Sequence, residues 1–564
     1  MDKKNLIVVV ACVLLLVFWS KILEITGLYT PPPPAPAQTT LVDSTGAPIQ
    51  SQPIAPASSS QAPADIASTQ EMVVFDSTFE TREIVVTTPK YVLKFTNRGG
   101  GINKILLRDY FYHDSGNVVL AESDHIVVPD FETSARGYRG SNKQFSTTAT
   151  DFELSAGSSP RKISYVHDNG AGGQITKTYT IYPDKYDIGF EITVNGIETF
   201  GFERSYQVVW DITPNPTEKD ISDDYDNYYR SVARMGGEFY EYDDYDNNKM
   251  DEYNESPVTE WAGLRTKYFS MLMIPQSRNG IGVMVKGTKR EVIIQGDEVT
   301  RRALTTGVSM QMGNAGSITD SFLIYAGPIH YQNLKEYNLG LEDLTSMGWV
   351  IIKPFSIGII WLLPKLYNLV PNYGFVVLIF ALLIKLITFP LSRKQTAAMG
   401  KMKDLQPKMK KLQEKFKNDP KKLNKEMMKL YKDAGANPLS GCLPMLPQMP
   451  IFFALFTVFK TTIEFRGAHF IGYITDLSVA DPYYILPIIM ALSMFVQQKM
   501  TMTDPKHKMM VYMMPLLFGY LFHTFPVGLV LYWTGFNILA LAETILVRKQ
   551  QAKKDEQNPQ VMDA

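Results

Sequence analysis

A single lysine lies in the middle of a long apolar segment, and this placement constrains the fold more than any other feature of the chain. The segment YGFVVLIFALLIKLITFPL runs from Tyr373 to Leu391, and Lys385 is its only charged residue. A segment of this length crosses a bilayer as a helix, where a cation near the midplane costs roughly 2.5–3.5 kcal/mol. Lys385 precedes Arg393 by about 12 Å of helix, which is beyond easy reach of a snorkelling lysine stem. The sequence therefore predicts that Lys385 faces water or an anion inside the membrane. A tilted helix with a snorkelling lysine is the alternative.

Charges are segregated along the chain although they nearly cancel over its 564 residues, whose net charge is −1. Fourteen basic and four acidic residues fall between Arg393 and Lys432, whereas thirteen acidic and four basic residues fall between Glu218 and Glu255. Basic loops are retained on the cytosolic side of membrane proteins. This segregation therefore indicates a protein exposed on both sides of a membrane. The two cysteines, Cys12 and Cys442, lie in apolar segments and predict neither a metal cluster nor a disulfide.

The first apolar run predicts an uncleaved anchor. It extends from Leu6 to Leu28 behind Lys3 and Lys4, and positive charge before such a run keeps the N-terminus in the cytosol. Lipidation at Cys12 and cleavage after Ala37 are the alternatives. Only about six apolar residues precede Cys12, which are too few for the hydrophobic region of a lipoprotein signal. Prolines surround the possible cleavage site after Ala37, which disfavours cleavage there.

Short β-rich runs such as EIVVTT, QITKTYTIYP and IGFEITV recur between turn residues up to about residue 330. They predict a soluble, mostly antiparallel β-sandwich, followed by a helical connector over 329–345. The next stretch, 349–370, is apolar but interrupted by two lysines and two prolines, which favours an amphipathic helix lying in the membrane interface. If this helix crossed the membrane, the basic loop 393–439 would lie outside, against the positive-inside rule.

Four more apolar segments follow the basic loop, at about 443–462, 483–498, 509–525 and 527–547. Together with the anchor and the Lys385 segment they predict six transmembrane helices, with both termini in the cytosol. The fold class is therefore mixed, with a polytopic α-helical membrane core and an extracytoplasmic β-sandwich. The predicted parts are an anchor (1–30), a Pro/Ala/Ser-rich linker (31–70), the β-sandwich with its connector (71–345), the interfacial helix (346–371), a five-helix core (372–548) containing a cytosolic helical hairpin (393–439), and a tail (549–564).

The basic loop predicts the helical hairpin because its apolar residues recur at helical spacing. One stripe precedes a turn at 418–420 and a second follows it. The outer face is basic and is either a solvated surface or a docking surface for ribosomal RNA or lipid headgroups. The first stripe comprises Met402, Leu405, Met409, Leu412 and Phe416, and the second comprises Leu423, Met427 and Leu430.

Candidate substrate-contacting residues fall into two groups, and simple helix packing is the alternative for both. The groove candidates are Lys385, Thr388, Gln448, Tyr532 and Trp533, with Gln498, Thr534, Asn537 and Glu543 as further polar residues. The second group forms a proline-kinked, Met- and Phe-rich surface able to accept varied apolar sequences, here called the slide; its members are Pro444, Met449, Pro450, Phe453 and Pro515. No nucleotide loop, zincin motif or nucleophile elbow is found. The sequence therefore predicts no enzyme, metal site or cofactor.

Several motifs resemble those of the YidC-type membrane protein insertases of the YidC/Oxa/Alb superfamily, in the Gram-negative branch with a large periplasmic domain. The matching stretches are Asn437–Leu439, Gly441–Cys442, Pro444–Phe453, Asp481–Pro487, Phe525–Pro526, Gly528–Tyr532 and Leu405–Lys408, with Trp261 and Tyr268–Phe269 upstream. The resemblance implies an insertase and chaperone of the inner membrane with residues 29–345 in the periplasm. It also implies nascent membrane proteins, the ribosome, SecYEG, SecDF and anionic lipids as partners, and no DNA.

The same resemblance implies a hydrophilic groove open to the cytosol and to lipid, marked by an arginine five residues before a proline. Here that position is Lys385, five residues before Pro390. Lysine keeps the charge but lacks the planar fork that binds carboxylates bidentately. We therefore expect Lys385 to attract the acidic tails of substrates by charge, without requiring a fixed orientation of their carboxylates.

Two other functions remain open from the sequence. A small-anion transporter or channel could use Lys385 as its site, although transporters usually carry internal repeats with paired broken helices, and none is found. The β domain could instead be a carbohydrate- or peptide-binding module on a structural anchor.

Overall fold

The computed structural model describes residues 80–557, apart from 113–115, 124–127, 134–137, 201, 203–204, 247–248, 295–296, 314–315, 418, 435–444 and 502–507. The predicted anchor, the predicted linker, Pro444 and the end of the predicted tail lie outside the described residues.

The N-terminal half of the described chain is a β domain. Its strands are β1 (Glu83–Thr87), β2 (Tyr91–Thr96), β3 (Gly101–Phe111), β4 (Asn117–Glu122), β5 (Asp130–Thr133), β6 (Tyr138–Arg139), β7 (Phe152–Glu153), β8 (Arg161–Asp168), β9 (Gln174–Ile181), β10 (Asp187–Asn195), β11 (Ser205–Trp210), β12 (Arg230–Met235), β13 (Glu238–Tyr242), β14 (Asp251–Glu255), β15 (Thr259–Arg265), β16 (Phe269–Pro275), β17 (Gly282–Ile294), β18 (Asp297–Gln311) and β19 (Ser317–Pro328).

These strands form three sheets, ordered β4-β3-β2-β1-β7, β13-β12-β15-β16-β19-β10-β9-β8 and β14-β17-β18-β11-β5-β6. The described pairings are antiparallel except for that of β1 with β7. The prediction of antiparallel sheets is therefore confirmed.

Alternating burial along the strands explains why these sheets pack against one another. In β9, Ile175, Lys177, Tyr179 and Ile181 are buried while the intervening residues are partly exposed, as expected for a strand with one face on a core. One hydrophobic core joins residues of all three sheets. Polar contacts also join the sheets. The Thr306 hydroxyl of β18, for example, donates to the Ser231 hydroxyl of β12 at 2.7 Å.

The helices follow mainly in the C-terminal part. They are α1 (Ile197–Phe200), α2 (Ile221–Asn227), α3 (Tyr331–Lys335), α4 (Lys353–Leu369), α5 (Tyr373–Asp404), α6 (Gln406–Lys415), α7 (Pro420–Asp433), α8 (Met445–Thr461), α9 (Ile485–Thr501), α10 (Lys508–Leu521) and α11 (Val527–Gln557). Short 3₁₀ helices occur at Gly140–Asn142, Leu341–Leu344, Ile463–Phe465 and Phe522–Thr524.

Helix α4 is two-sided. Pro354 lies in its first turn, where a missing N–H costs nothing. One face buries Ile359, Ile360 and Leu363 against the helical core, whereas Trp361 on the other face is 55% exposed. This asymmetry suits a helix lying along an interface.

The long helices expose far more apolar surface than soluble proteins do. On α10, Leu516 and Tyr520 are 73% and 75% exposed. Of the described residues, Tyr373–Pro390 and Val527–Val547 are long and apolar enough to cross a bilayer by length and composition, and the apolar helices Gln448–Thr461 and Ile485–Met500 are shorter.

The hairpin differs from its prediction in one respect. Met402 and Leu405 were expected on the same helix as Met409, but α5 continues through Arg393 to Asp404 and the chain breaks at Leu405. Pro407 explains the break, because proline cannot donate to the preceding turn and clashes with its carbonyl group. Beyond the break, α6 and α7 do pack on each other through their apolar stripes, which bury Leu405, Met409 and Met427.

The loop after α8 attaches the β domain to the helices. Arg466 in this loop pairs with Glu218 of the β domain (Nε to Oε1, 2.8 Å), and both side chains are about 5% exposed. Its two terminal nitrogens donate to the carbonyl oxygens of Phe111 and Thr217 at 3.0 and 2.9 Å. Its guanidinium also lies 5.5 Å from the centre of the Phe269 ring. This arginine therefore has a partner for each nitrogen.

A second group of charges lies where the β domain meets the helices, a region called the junction below. The Lys460 ammonium, at the end of α8, and the Lys267 ammonium each lie 2.9 Å from the Asp223 carboxylate. Next to it, Asp224 is fully buried and accepts from the Lys267 backbone N–H at 2.9 Å. Burial, reinforced by the charge of Glu218, raises the pKa of Asp224 to about 7.

Candidate substrate groove

Helices α5 and α11 approach closely because small residues lie between them. A Cβ atom at Gly535 of α11 would lie 2.9 Å from the Leu378 side chain and 3.9 Å from the Ala381 Cβ atom of α5. Small residues at a helix crossing allow backbones to approach in membranes as they do elsewhere. The polar residues one to two turns further along both helices are thereby brought together.

The central contact is an ion pair between these helices. The Lys385 Nζ atom lies 2.6 Å from Glu543 Oε2, and the two side chains are 10% and 8% exposed. The Ser392 hydroxyl donates to the other carboxylate oxygen, Oε1, at 2.6 Å. The ammonium also lies 5.0 Å from the centre of the Phe536 ring. The anion beside Lys385 is therefore a carboxylate of the protein itself, and the pair carries no net charge.

Helical spacing accounts for this arrangement. Ser392 follows Lys385 by seven residues, and Glu543 follows Phe536 by seven, so each pair lies on one helix face. Thr388 lies on α5 between them, but its hydroxyl donates to the carbonyl of Ile384 at 2.9 Å. It also lies 3.3 Å from the backbone carbonyl of Lys385, so its described hydrogen bonds stay within its own helix and do not reach the charged groups of the pair.

Aromatic residues continue the site from Lys385 toward the start of α11. The Tyr532 ring is fully buried and lies 6.0 Å from the rings of both Phe380 and Phe536. Trp533 lies 5.2 Å from the Phe452 ring of α8, which joins that helix to the site.

Three buried polar atoms here lack hydrogen-bond partners among the described residues: Tyr532 Oη, Trp533 Nε1 and Asn537 Nδ2. Such atoms are costly in an apolar surrounding. They offer hydrogen bonds to water or to a polar segment that enters the site.

The slide candidates are spread over two helices. On α8, Pro450 is half-buried, Met449 is 38% exposed, and Phe453 contacts Trp349 with a ring distance of 5.3 Å. The groove candidate Gln448 lies on the same helix and is also half-buried. Pro515 is buried within α10. The described contacts thus join α8 to the groove through Phe452 and Trp533, and Pro515 lies on a separate helix.

Sequence reasoning named Glu543 only as one of several further polar residues and did not name Ser392. A signal was nevertheless present. Glu543 is the only charged residue in Val527–Val547, as Lys385 is in its own segment. Lone opposite charges in two apolar segments are expected to pair, because each is expensive alone in lipid.

Within the described ranges, no three His, Cys, Asp or Glu side chains come together as a metal site.

Comparisons with known proteins match both halves of the chain. A family model described as the YidC periplasmic domain matches residues 83–358, and one described as a 60Kd inner membrane protein matches residues 365–555. A relative from Syntrophus aciditrophicus, named membrane protein insertase YidC, is 31% identical over 572 residues, covering 98% of this chain and 100% of the relative. A relative of the same name from Chlorobaculum tepidum is 31% identical over 491 residues, covering 82% and 81% of the two chains.

A solved structure described as an active YidC insertase with its first transmembrane domain resolved is 21% identical, with a TM-score of 0.38, and covers 82% of this chain and 92% of that one. Because the Syntrophus relative exceeds 30% identity over nearly the whole of both chains, the family assignment rests on sequence along the full length. The chain belongs to the YidC family of membrane protein insertases.

Proposed function

We propose that this protein inserts membrane proteins into the inner membrane and helps them fold, alone or with the Sec translocon. The observation that carries the proposal is the buried Lys385–Glu543 pair between two apolar helices, next to buried polar atoms without described partners. Membrane helices retain such groups at a cost, so they mark function. The family assignment and the names of the relatives support the same conclusion.

The polar groups lower the cost of moving a short hydrophilic tail into the membrane. A tail that enters between the helices exchanges water for Lys385, Glu543 and the polar atoms of Tyr532, Trp533 and Asn537. Each interaction is stronger there than in water, because the surrounding dielectric constant is low. Thr388 and Gln448 add polar surface at the edges of this groove. No covalent bond forms in this process, and it requires no cofactor.

The apolar segment of the substrate then leaves the groove along the slide. Met449 and Phe453 are flexible or flat apolar side chains, which adapt to varied sequences. Pro450 and Pro515 lie inside α8 and α10, where they interrupt regular helix hydrogen bonding and leave room for deformation. Pro444, which lies outside the described residues, is the third proline that we assign to the slide. Burial of the substrate segment in lipid supplies the driving force, roughly 25 cal/mol per Å² of apolar surface.

The proposal includes the number of transmembrane helices and the side of the membrane on which each part lies. Six transmembrane helices, with both termini in the cytosol, place the β domain in the periplasm and the basic hairpin in the cytosol. The hairpin then faces ribosomes carrying nascent chains and the anionic lipid surface. SecYEG and SecDF are the expected protein partners, and DNA is not expected.

The small-anion transporter receives no support from the relatives described above, which carry the insertase name. The pairing of Lys385 with an internal carboxylate also argues against a free anion site, because the cation is already neutralised.

Insertion into liposomes tests the proposal directly. The substrate is a single-span protein with a short acidic N-terminal tail, and protection of that tail from external protease measures insertion. We expect clear stimulation by the purified full chain over empty liposomes. The double variant Lys385→Met/Glu543→Gln, which has an uncharged groove but no orphaned charge, should insert several-fold less.

Lys365→Met is the matched control, because Lys365 is exposed on α4 and stacks on Trp361 at 3.5 Å. It should insert substrate as the native protein does. No stimulation by folded native protein would overturn the proposal. Equal insertion by the double variant would keep the function and remove the ion pair from it.

A further inference from the structure

We infer that Glu543 sets the charge preference of the groove by competing with acidic substrate tails for Lys385. This inference rests on the insertase function proposed above and assigns a specificity-determining residue within it.

The geometry shows what an incoming carboxylate must compete with. The Lys385 ammonium already has a carboxylate oxygen at 2.6 Å and an aromatic ring at 5.0 Å, and its side chain is 90% buried. A substrate carboxylate that approaches Lys385 therefore competes with Glu543 for the ammonium. Attraction between the two residues is strong in a low dielectric, so Glu543 reduces the gain that an acidic tail obtains.

Glu543 is held at two points, which makes this exchange feasible. One carboxylate oxygen contacts Lys385, and the other accepts from the Ser392 hydroxyl at 2.6 Å. Ser392 follows Lys385 by seven residues, about 10 Å along the helix toward Arg393. When Glu543 releases Lys385, it keeps a hydrogen bond on the Arg393 side instead of becoming a wholly unpaired buried charge.

The Lys385–Glu543 pair also interacts with basic tails differently from the way a lysine without a carboxylate partner would. A basic group that enters can pair with Glu543, whereas a lone lysine would repel it. The pair therefore makes the groove tolerant of tails of either sign, and removal of Glu543 should convert it into a site selective for acidic tails.

The test compares three single-span substrates whose N-terminal tails differ at one position, occupied by Asp, Asn or Lys. The purified full chain, its Glu543→Gln variant and the control variant Thr544→Val are placed in identical liposomes. Insertion of the Asp and Lys substrates is expressed as a ratio to the Asn substrate, which cancels differences in the amount of folded protein. The Thr544 hydroxyl donates to the carbonyl of Ala540 in its own helix and so serves as a neighbouring control.

We expect Glu543→Gln to raise the Asp-to-Asn ratio by about three- to tenfold, less than the full coupling of a desolvated charge pair, because Glu543 competes for Lys385 and does not block it. The Lys-to-Asn ratio should fall, and Thr544→Val should leave both ratios unchanged. Ser392→Ala removes the second attachment of Glu543 and should lower the Asp-to-Asn ratio, opposite to Glu543→Gln. This second variant retains the ion pair and tests the inference even if Glu543→Gln folds poorly.

Unchanged ratios in Glu543→Gln, with native insertion of the Asn substrate intact, would overturn the inference and leave the proposed function standing. A change of the same sign in Ser392→Ala and Glu543→Gln would overturn it as well. If the native protein inserts none of the three substrates, the proposed function fails and this inference fails with it.

Discussion

The Arg466–Glu218 pair at the junction and the Lys385–Glu543 pair in the groove are both buried, but their surroundings differ. Arg466 has a carboxylate, two backbone carbonyl groups and an aromatic ring around its guanidinium. Lys385 has one carboxylate and one ring, and three buried polar atoms of α11, the helix that carries Glu543, lack described partners. A buried charge with a partner for each of its nitrogens fixes a structure, whereas a sparsely partnered one can exchange partners. The junction is therefore built as a clamp and the groove as a site for exchange.

The largest expected effect comes from breaking the clamp. Arg466→Ala removes the buried cation that contacts Glu218, together with its hydrogen bonds to Phe111 and Thr217, and should cost about 3–5 kcal/mol of stability. Thermal unfolding of the detergent-solubilised full chain measures the loss. Lys162→Ala is the control, because Lys162 is exposed on β8 and its loss should change stability by less than about 0.5 kcal/mol. Equal unfolding temperatures for the two variants would contradict the clamp.

The groove pair should behave differently when both charges are removed. Lys385→Met alone leaves Glu543 buried without its cation and with only the Ser392 hydrogen bond described for it, and should cost about 2–4 kcal/mol. The double variant Lys385→Met/Glu543→Gln should recover most of that loss, because no buried charge remains. Thermal unfolding of the single and double variants measures how much of the loss is recovered. If the double variant is no more stable than the single one, the pair is not the main source of the cost.

Asp224 predicts a dependence of junction stability on pH. Its pKa is raised by burial to about 7, so the folded state binds a proton that the unfolded state has released. Stability contributed by this proton is complete below the unfolded pKa and is lost as pH rises through about 7. The unfolding free energy should therefore fall by about 1 kcal/mol per pH unit between pH 5 and 7.

Asp224→Asn should flatten that slope, because the amide cannot titrate while its oxygen still accepts from the Lys267 backbone N–H. Unfolding of native and variant protein at a series of pH values gives the comparison. Parallel slopes for the two proteins would assign the pH dependence to another group.

The smallest expected effect compares two buried tyrosines. The Tyr268 hydroxyl at the junction donates to the carbonyl of Lys460 at 3.2 Å, whereas the Tyr532 hydroxyl has no partner among the described residues. Tyr268→Phe should cost about 1 kcal/mol, and Tyr532→Phe should lie within about 0.5 kcal/mol of the native protein. A reversed order would mean that the Tyr532 hydroxyl has a partner and that the groove is as closely fitted as the junction. A loss of insertion without a loss of stability in Tyr532→Phe would support its role in the groove.

Much of the architecture could be predicted because it depends on local pattern. Alternating residues such as those of β9 fix a strand with one buried face, and the apolar segment around Lys385 fixes a membrane helix. The broken stripe at Leu405 was missed because a 3-4-3-4 apolar spacing continues through Pro407, and periodicity does not record a missing backbone donor.

The sequence by itself determined that a lone cation and a lone carboxylate lie in apolar segments, since their cost in lipid is a property of composition. Only the tertiary structure decided that Lys385 and Glu543 pair and that Ser392 shares the carboxylate, because residues more than 150 positions apart meet only through the packing of α5 on α11. The same holds for Arg466, whose partners at Glu218 and Phe111 lie in another domain. Local patterns specify elements, but the contacts between distant elements depend on side-chain shape and helix crossing, which a single sequence does not encode in any local signal.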